Sequence, residues 1–226
     1  MRNWLSAIAL SLAAAAQASP PVRIEISYNV LHNGGPLATV THLLEHDGDR
    51  YRLRETWEGS GLLSLLGEVR RTSRGKVTAA GLRPLEYEDQ RPRRDTARAR
   101  FAWDKGTLTQ QFRDGPQARP LPPHAQDRLS FLFAPAFRAP GAGPLEYYVA
   151  DGKGVAHYVF EVAGRERVTV PAGEFDALRL VKRDDDGRTT QIWLDAERSY
   201  LPLRVLVVHK DGTRVDQVAT RFAPPR

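Results

Sequence analysis

Val22-Arg23-Ile24-Glu25-Ile26-Ser27-Tyr28-Asn29-Val30 decides the fold class of this chain. Apolar and polar side chains alternate without a break. A backbone of period two puts Val22, Ile24, Ile26, Tyr28 and Val30 on one face and Arg23, Glu25, Ser27 and Asn29 on the other. A helix would scatter the same residues around its circumference. The stretch therefore reads as a strand with one buried face. Asn33-Gly34-Gly35 follows it with residues that tolerate positive φ, which marks the first turn.

The same pattern continues outward from that strand. Residues 37–46 form a second strand, turned back by Asp47-Gly48, and a third sets Tyr51, Leu53 and Trp57 against Arg50, Arg52 and Arg54. Ala97, Ala99, Phe101 and Trp103 share a face opposite Arg98 and Arg100, and Lys105-Gly106 leads into residues 107–112. Strands follow at 145–149, 155–162, 167–170, 175–181, 189–194, 203–210 and 213–222, joined by short turns such as Asp151-Gly152-Lys153-Gly154 and Asp211-Gly212. The proline-rich residues 114–124 read as a loop. The expected class is mainly β: a curved antiparallel sheet or half-open β-barrel with one or two short helices across its opening.

Two segments break the alternation. Gly61-Leu62-Leu63-Ser64-Leu65-Leu66 is short and strongly apolar. Residues 127–134 carry Leu129, Leu132 and Phe133 at helical spacing, with Asp127 as a cap and Pro135 as a stop. Core packing against the sheet is one reading of both segments; a lid over an apolar cavity is the other. Under the second reading Leu62, Leu65, Leu66, Trp103, Leu129, Leu132 and Phe133 are the ligand-binding candidates.

The first eighteen residues read as an export signal. Arg2 gives a positive start, residues 4–16 are uncharged and too short to span a bilayer, and Ala16-Gln17-Ala18 offers small residues to a signal peptidase. The expected organisation is a signal over 1–18 and one β-rich domain over 19–226, working in the periplasm or beyond. No later segment is apolar enough for a transmembrane anchor. The chain has no cysteine, which excludes a lipobox. Its formal charge is +6, carried mostly by arginine. Arg70-Arg71, Arg91-Pro92-Arg93-Arg94 and Arg98 to Arg100 suit nucleic acid in charge, but export excludes it; an anionic envelope surface is the expected basic-patch partner. Rows such as Arg50, Arg52 and Arg54 argue against an outer-membrane barrel, because they would face lipid or demand a wide polar lumen.

Catalytic motifs are scarce. His42-Leu43-Leu44-Glu45-His46 matches the H-x-x-E-H zinc pattern, so His42, Glu45 and His46 are the metal candidates. That pattern needs a helix, whereas Thr39-Val40-Thr41 before it and Asp47-Gly48 after it predict a strand and a turn. On a strand the two histidines lie about 13 Å apart, too far to share an ion at about 2 Å. Two partly exposed strand histidines are expected instead. Asp184-Asp185-Asp186 lacks the alternate ligand spacing of a calcium loop and reads as a solvated turn. No nucleophile elbow or phosphate-binding loop occurs, so no cofactor and no catalytic residue is expected.

Val-Thr-Val-Pro-Ala-Gly-Glu-Phe-Asp-Ala-Leu-Arg-Leu (168–180), Trp-Leu-Asp-Ala-Glu-Arg-Ser-Tyr-Leu-Pro-Leu-Arg-Val (193–205) and Asp-Arg-Leu-Ser-Phe-Leu-Phe-Ala-Pro (127–135) resemble the bacterial envelope family known as domain of unknown function 3108. The resemblance covers about residues 24–222. It implies similarity to the LolA/LolB lipoprotein carriers, whose half-open barrel holds acyl chains under helical lids. The expected function is then a non-enzymatic binder or carrier of an apolar or acylated ligand. The alternatives are an envelope hydrolase with a site assembled from remote residues, and a scaffold that pairs through a free sheet edge. N-terminal sequencing of protein recovered from the envelope is expected to begin at Ser19; an intact Met1 would exclude the cleavage.

Overall fold

The structure, a computed structural model, describes residues 20–113 and 115–223. The expected signal over 1–18 lies outside the described residues. A single 15-stranded sheet makes up most of the molecule. Its first half comprises β1 (Arg23–His32), β2 (Gly35–His46), β3 (Arg50–Gly59), β4 (Val69–Thr78), β5 (Gly81–Gln90), β6 (Ala97–Ala102), β7 (Thr107–Gln111) and β8 (Pro116–Pro120). The second half comprises β9 (Ala125–Asp127), β10 (Leu145–Ala150), β11 (Val155–Val170), β12 (Gly173–Arg183), β13 (Thr189–Asp195), β14 (Pro202–Val208) and β15 (Arg214–Ala223). A 3-10 helix spans Gly61–Leu66, and one α-helix, α1, spans Ser130–Phe137.

Sequence neighbours are sheet neighbours almost throughout. The order runs from β8 back to β1, crosses to β15, and runs back again to β9. The crossing is an antiparallel ladder from Glu25 opposite Ala223 to His32 opposite Val215. The alternation is observed from Ile24 onward, with Ile24, Ile26, Tyr28 and Val30 buried in the core, whereas Val22, expected on the same face, precedes β1 and is exposed. One pair departs from the antiparallel rule. β9 and β10 run parallel, and α1 is their crossover, as a parallel pair requires.

That crossover lies inside the curl of the sheet. Six of its eight residues are buried, from Ser130 to Ala136, because apolar side chains surround it on nearly every side. Phe133 meets the His42 ring at 5.5 Å and Phe137 meets His46 at 5.1 Å, both on β2. Phe131 stacks on Phe160 of β11 at 6.3 Å. The helix thus bridges opposite walls and fills the interior.

The sheet has no backbone ladder between its β8 and β9 edges. Side-chain amides stitch the seam instead. Gln126 Nε2 donates to the Leu82 carbonyl at 2.8 Å, and Gln110 Nε2 donates to the carbonyls of Asp151 and Gly154. Gly152 is pressed so closely on β6 that a β-carbon there would stand 2.5 Å from the Ala97 Cβ. Only glycine fits.

Two strands not assigned from the sequence are found, and several expectations are corrected. β4 and β5 carry no clean alternation because their inward positions hold Arg71, Ser73, Gly75, Pro84 and Asp89. The residues read as a loop at 114–124 contain β8, an exposed edge strand bounded by prolines. The strands at 155–162 and 167–170 are one, β11, which bulges between Val162 and Gly164 as it passes from β10 to β12. Pro135 does not stop α1 but lies within it. Its missing N–H forfeits one helical bond, a loss the surrounding packing absorbs.

Phe133 is 1% exposed at the centre of this packing. Phe133→Ala is expected to cost about 3–5 kcal/mol in chemical denaturation, whereas Leu65→Ala on the surface should stay within about 0.5 kcal/mol. Equal effects would place the core elsewhere.

Candidate functional site

Four neighbouring strands present one charged row to the interior. His42, Glu55, Arg71 and Asp89 are direct cross-strand partners on β2, β3, β4 and β5. His42 Nε2 donates to Glu55 Oε2 at 2.8 Å, and Arg71 donates to Glu55 Oε1. Arg71 Nε stands 3.3 Å from Asp89, which also takes Arg91 at 2.8 Å. Burial alone would raise the Glu55 carboxyl, but the bonds and charges of His42 and Arg71 outweigh it and hold it at about 2. Glu55 therefore stabilises the fold above its ordinary value of 4.5, and this contribution is lost as pH falls toward 2. His42 is 2% exposed, beneath Phe133 and 4.9 Å from the Tyr28 ring. Closed off from solvent and paired across four strands, the row braces the wall.

A second polar cluster ties α1 to that wall. Asp127 Oδ1 accepts from the N–H groups of Leu129 at 2.9 Å and Ser130 at 2.8 Å, as the expected cap does. Its Oδ2 accepts from Ser73 Oγ, which in turn lies 2.9 Å from Tyr51 Oη. Burial pushes the Asp127 carboxyl up to about 6, against the lowering effect of these bonds.

The seam widens at one end into a cleft of about 940 Å³, near the top of the range for small-molecule sites, roughly 300–1,000 Å³. It lies between the β4–β5 turn, the start of β9, the C-terminal end of α1 and the start of β10. Leu82, Ala134 and Leu145 are buried, and Trp103 and Tyr147 half-buried, among its lining residues. Trp103 is fixed by a 2.6 Å bond to the Pro84 carbonyl and by Arg83, whose guanidinium sits 4.7 Å from the ring. Burial pushes the Tyr147 phenol up to about 12, although the positive charge of Arg138 pulls the other way. Arg83 and Arg138 make no ion pair among the described residues, while Glu146 is engaged by His157 at 2.7 Å.

Of the residues singled out in the sequence, Trp103 alone lines this cleft. Leu129, Leu132 and Phe133 are buried in the core. Leu62, Leu65 and Leu66 are exposed by 84%, 78% and 63%, so they and the α1 residues do not meet over a common cavity. His42 and His46 both point inward from a strand, but only His46 is partly exposed, with Nε2 3.1 Å from the Pro20 carbonyl. Glu45 points outward to Arg23 and Arg54, so the three metal candidates are not brought together. Arg83, Arg138 and Tyr147 were not legible as site residues. They become neighbours only when the two sheet edges approach.

Fold and cleft together define a β-barrel-like protein wound from one open sheet around a buried crossover helix. The family described as protein of unknown function (DUF3108) matches residues 23–218, and the chain belongs to it. Among solved structures it is similar to a β-barrel-like protein of domain of unknown function DUF1849 from Brucella abortus. That likeness has 9% identity and a TM-score of 0.58, covering 92% of this chain and 100% of the other. A candidate exported protein with YmcC-like fold from Bacteroides fragilis aligns at 9% identity and a TM-score of 0.44, covering 91% of this chain and 98% of that one. A candidate lipoprotein from Parabacteroides distasonis aligns at 6% identity and 0.39, covering 92% and 96%. No curated protein matches the chain. No helix among the described residues is long and apolar enough to cross a membrane.

The buried carboxylate gives a pH signature with a definite sign. Because Asp127 is raised from 3.8 to about 6, its favourable protonated state is lost as pH rises through about 6. Asp127→Asn should therefore gain on the unmodified protein between about pH 4 and about pH 7, by roughly 2 kcal/mol. Urea unfolding at the two pH values measures it, and an unchanged difference would show that Asp127 does not titrate there.

Proposed function

We infer that this protein is a non-enzymatic binder of an acylated, anionic molecule, acting in the cell envelope. The observation that carries this reading is the seam cleft, where an apolar floor of Leu82, Trp103 and Leu145 is flanked by the unpaired cations Arg83 and Arg138. An acyl chain gains about 0.8 kcal/mol for each CH₂ it buries, which suits the floor. A carboxylate or phosphate head complements the arginines. The signal read over residues 1–18 supports an envelope location, and the similarity to LolA/LolB carriers that the family resemblance implies supports an acylated ligand. The ligand differs in placement from the one that resemblance implies: α1 occupies the interior, so the chain would lie along the seam.

Displacement of a fluorescent fatty acid from protein purified without detergent tests this reading. The protein is expected to bind the probe with a change in Trp103 emission. Trp103→Ala and Arg83→Glu/Arg138→Glu should each weaken binding on the order of tenfold. The charge reversal should leave a fatty alcohol of equal length little affected. No uptake of either amphiphile by the unmodified protein would exclude the carrier reading.

A further inference from the structure

The end of the barrel opposite the cleft presents a different surface. Antiparallel strands leave alternate ends of a sheet, so the β3–β4 and β5–β6 connections share one end and the β4–β5 turn of the cleft lies at the other. The β3–β4 connection is the 3-10 helix, none of whose residues is buried. Leu62, Leu65 and Leu66 stand 84%, 78% and 63% exposed, and Leu63 41%. Scattered single leucines on a surface need no explanation, but four within five residues form a continuous apolar knuckle.

The knuckle is held rather than loose. Gly67, its C-terminal cap, donates to the Ser64 carbonyl and lies so close to Pro92 that a β-carbon would stand 2.9 Å from the ring. Pro92 belongs to the β5–β6 loop, and there the charge changes. Arg91 is neutralised by Asp89 and Arg70 by Glu68, but Arg93 and Arg94 are exposed and make no ion pair among the described residues. The same rim continues along the seam. Gly152 rests on Ala97 at the start of β6, and the next residue, Lys153, lies 4.6 Å from the Phe112 ring, on which Arg113 also stacks. Against these four cations the rim sets, among the described residues, the exposed Glu58 and Asp95, so positive charge remains in excess there. The acidic pair Asp185 and Asp186 stands beyond β12, on the far side of the β10–β11 turn from the leucines.

We propose that this end docks on a lipid bilayer bearing anionic headgroups: the leucine knuckle enters the headgroup–acyl boundary while Arg93, Arg94, Arg113 and Lys153 meet the negative surface. Apolar side chains at the tip with basic residues behind them match the two layers of such an interface in order and in sign. Docking in this pose leaves the cleft at the solution-facing end, so the surface is independent of what the cleft binds.

Co-sedimentation with vesicles tests the proposal. The protein is expected to partition onto mixed phosphatidylcholine–phosphatidylglycerol vesicles, and less with rising salt. Leu62→Ser/Leu65→Ser/Leu66→Ser should lose at least on the order of tenfold in partitioning. Arg93→Ser/Arg94→Ser should lose roughly 30-fold, about fivefold for each charge near the surface. Both variants alter exposed side chains, and unchanged thermal midpoints would show that they fold. Equal partitioning of unmodified and triple-serine protein overturns the proposal, as does equal affinity for pure phosphatidylcholine. A concentration-dependent dimer abolished by the serine variant, without vesicle binding, would assign the knuckle to a second copy of the chain instead.

Discussion

The carboxylate of Asp127 joins three elements that share no complete ladder. Its own backbone ends β9, its Oδ1 holds the first free N–H groups at the start of α1, and its Oδ2 takes the Ser73 hydroxyl on β4. Removing any one of these bonds leaves a buried polar group without a partner, a cost of about 1–3 kcal/mol. The helix is therefore fixed where it enters the barrel. Everything that packs on it inherits that position, including the aromatic contacts of Phe131, Phe133 and Phe137 with opposite walls.

The seam follows from the same placement. A helix that occupies the interior keeps the two sheet edges from meeting as a backbone ladder, because the wall must go around it. Side-chain amides from Gln110 and Gln126 span what a ladder would otherwise join. Where those amides end, the edges diverge and the cleft begins. Trp103, Arg83 and Tyr147 face a common space there because β5, the β6–β7 turn and β10 cannot come closer. The charged row from His42 to Asp89 keeps the wall intact across the same strands, with His42, Glu55 and Asp89 buried in it.

The sequence displays strands wherever the inward face is apolar, and hides them wherever it is polar. β1 and β3 are legible from Ile24, Ile26, Tyr51 and Leu53 alone. β4 and β5 are not, because Arg71, Ser73 and Asp89 stand where leucines would have marked the face. Their burial is tolerable only through partners on other strands, such as Glu55 and Asp127, and no local window contains both members of such a pair. The apolar period likewise marks the helix, but it is the same whether the helix lies across the barrel or within it. The exposed leucines at 62–66 invert the usual rule, since an apolar hexapeptide ordinarily signals burial. Of the cleft, only Trp103 could be suspected from sequence; the rest depends on an approach of edges between residues more than forty positions apart.

The pairing of β1 with β15 has a consequence for the order in which the molecule can be built. Every other ladder joins strands adjacent in the chain, so each hairpin can close soon after its residues are available, at small cost in loop entropy. β1 alone waits for a partner that follows all the other strands in the chain. A nascent chain therefore carries an unsatisfied strand edge until β15 has emerged, and two half-sheets can mature separately before a final union. A circular permutant with the present ends joined, opened between β8 and β9, would contain the same ladders with no such delay. It would run as a meander from its first strand to its last, apart from the crossover through α1.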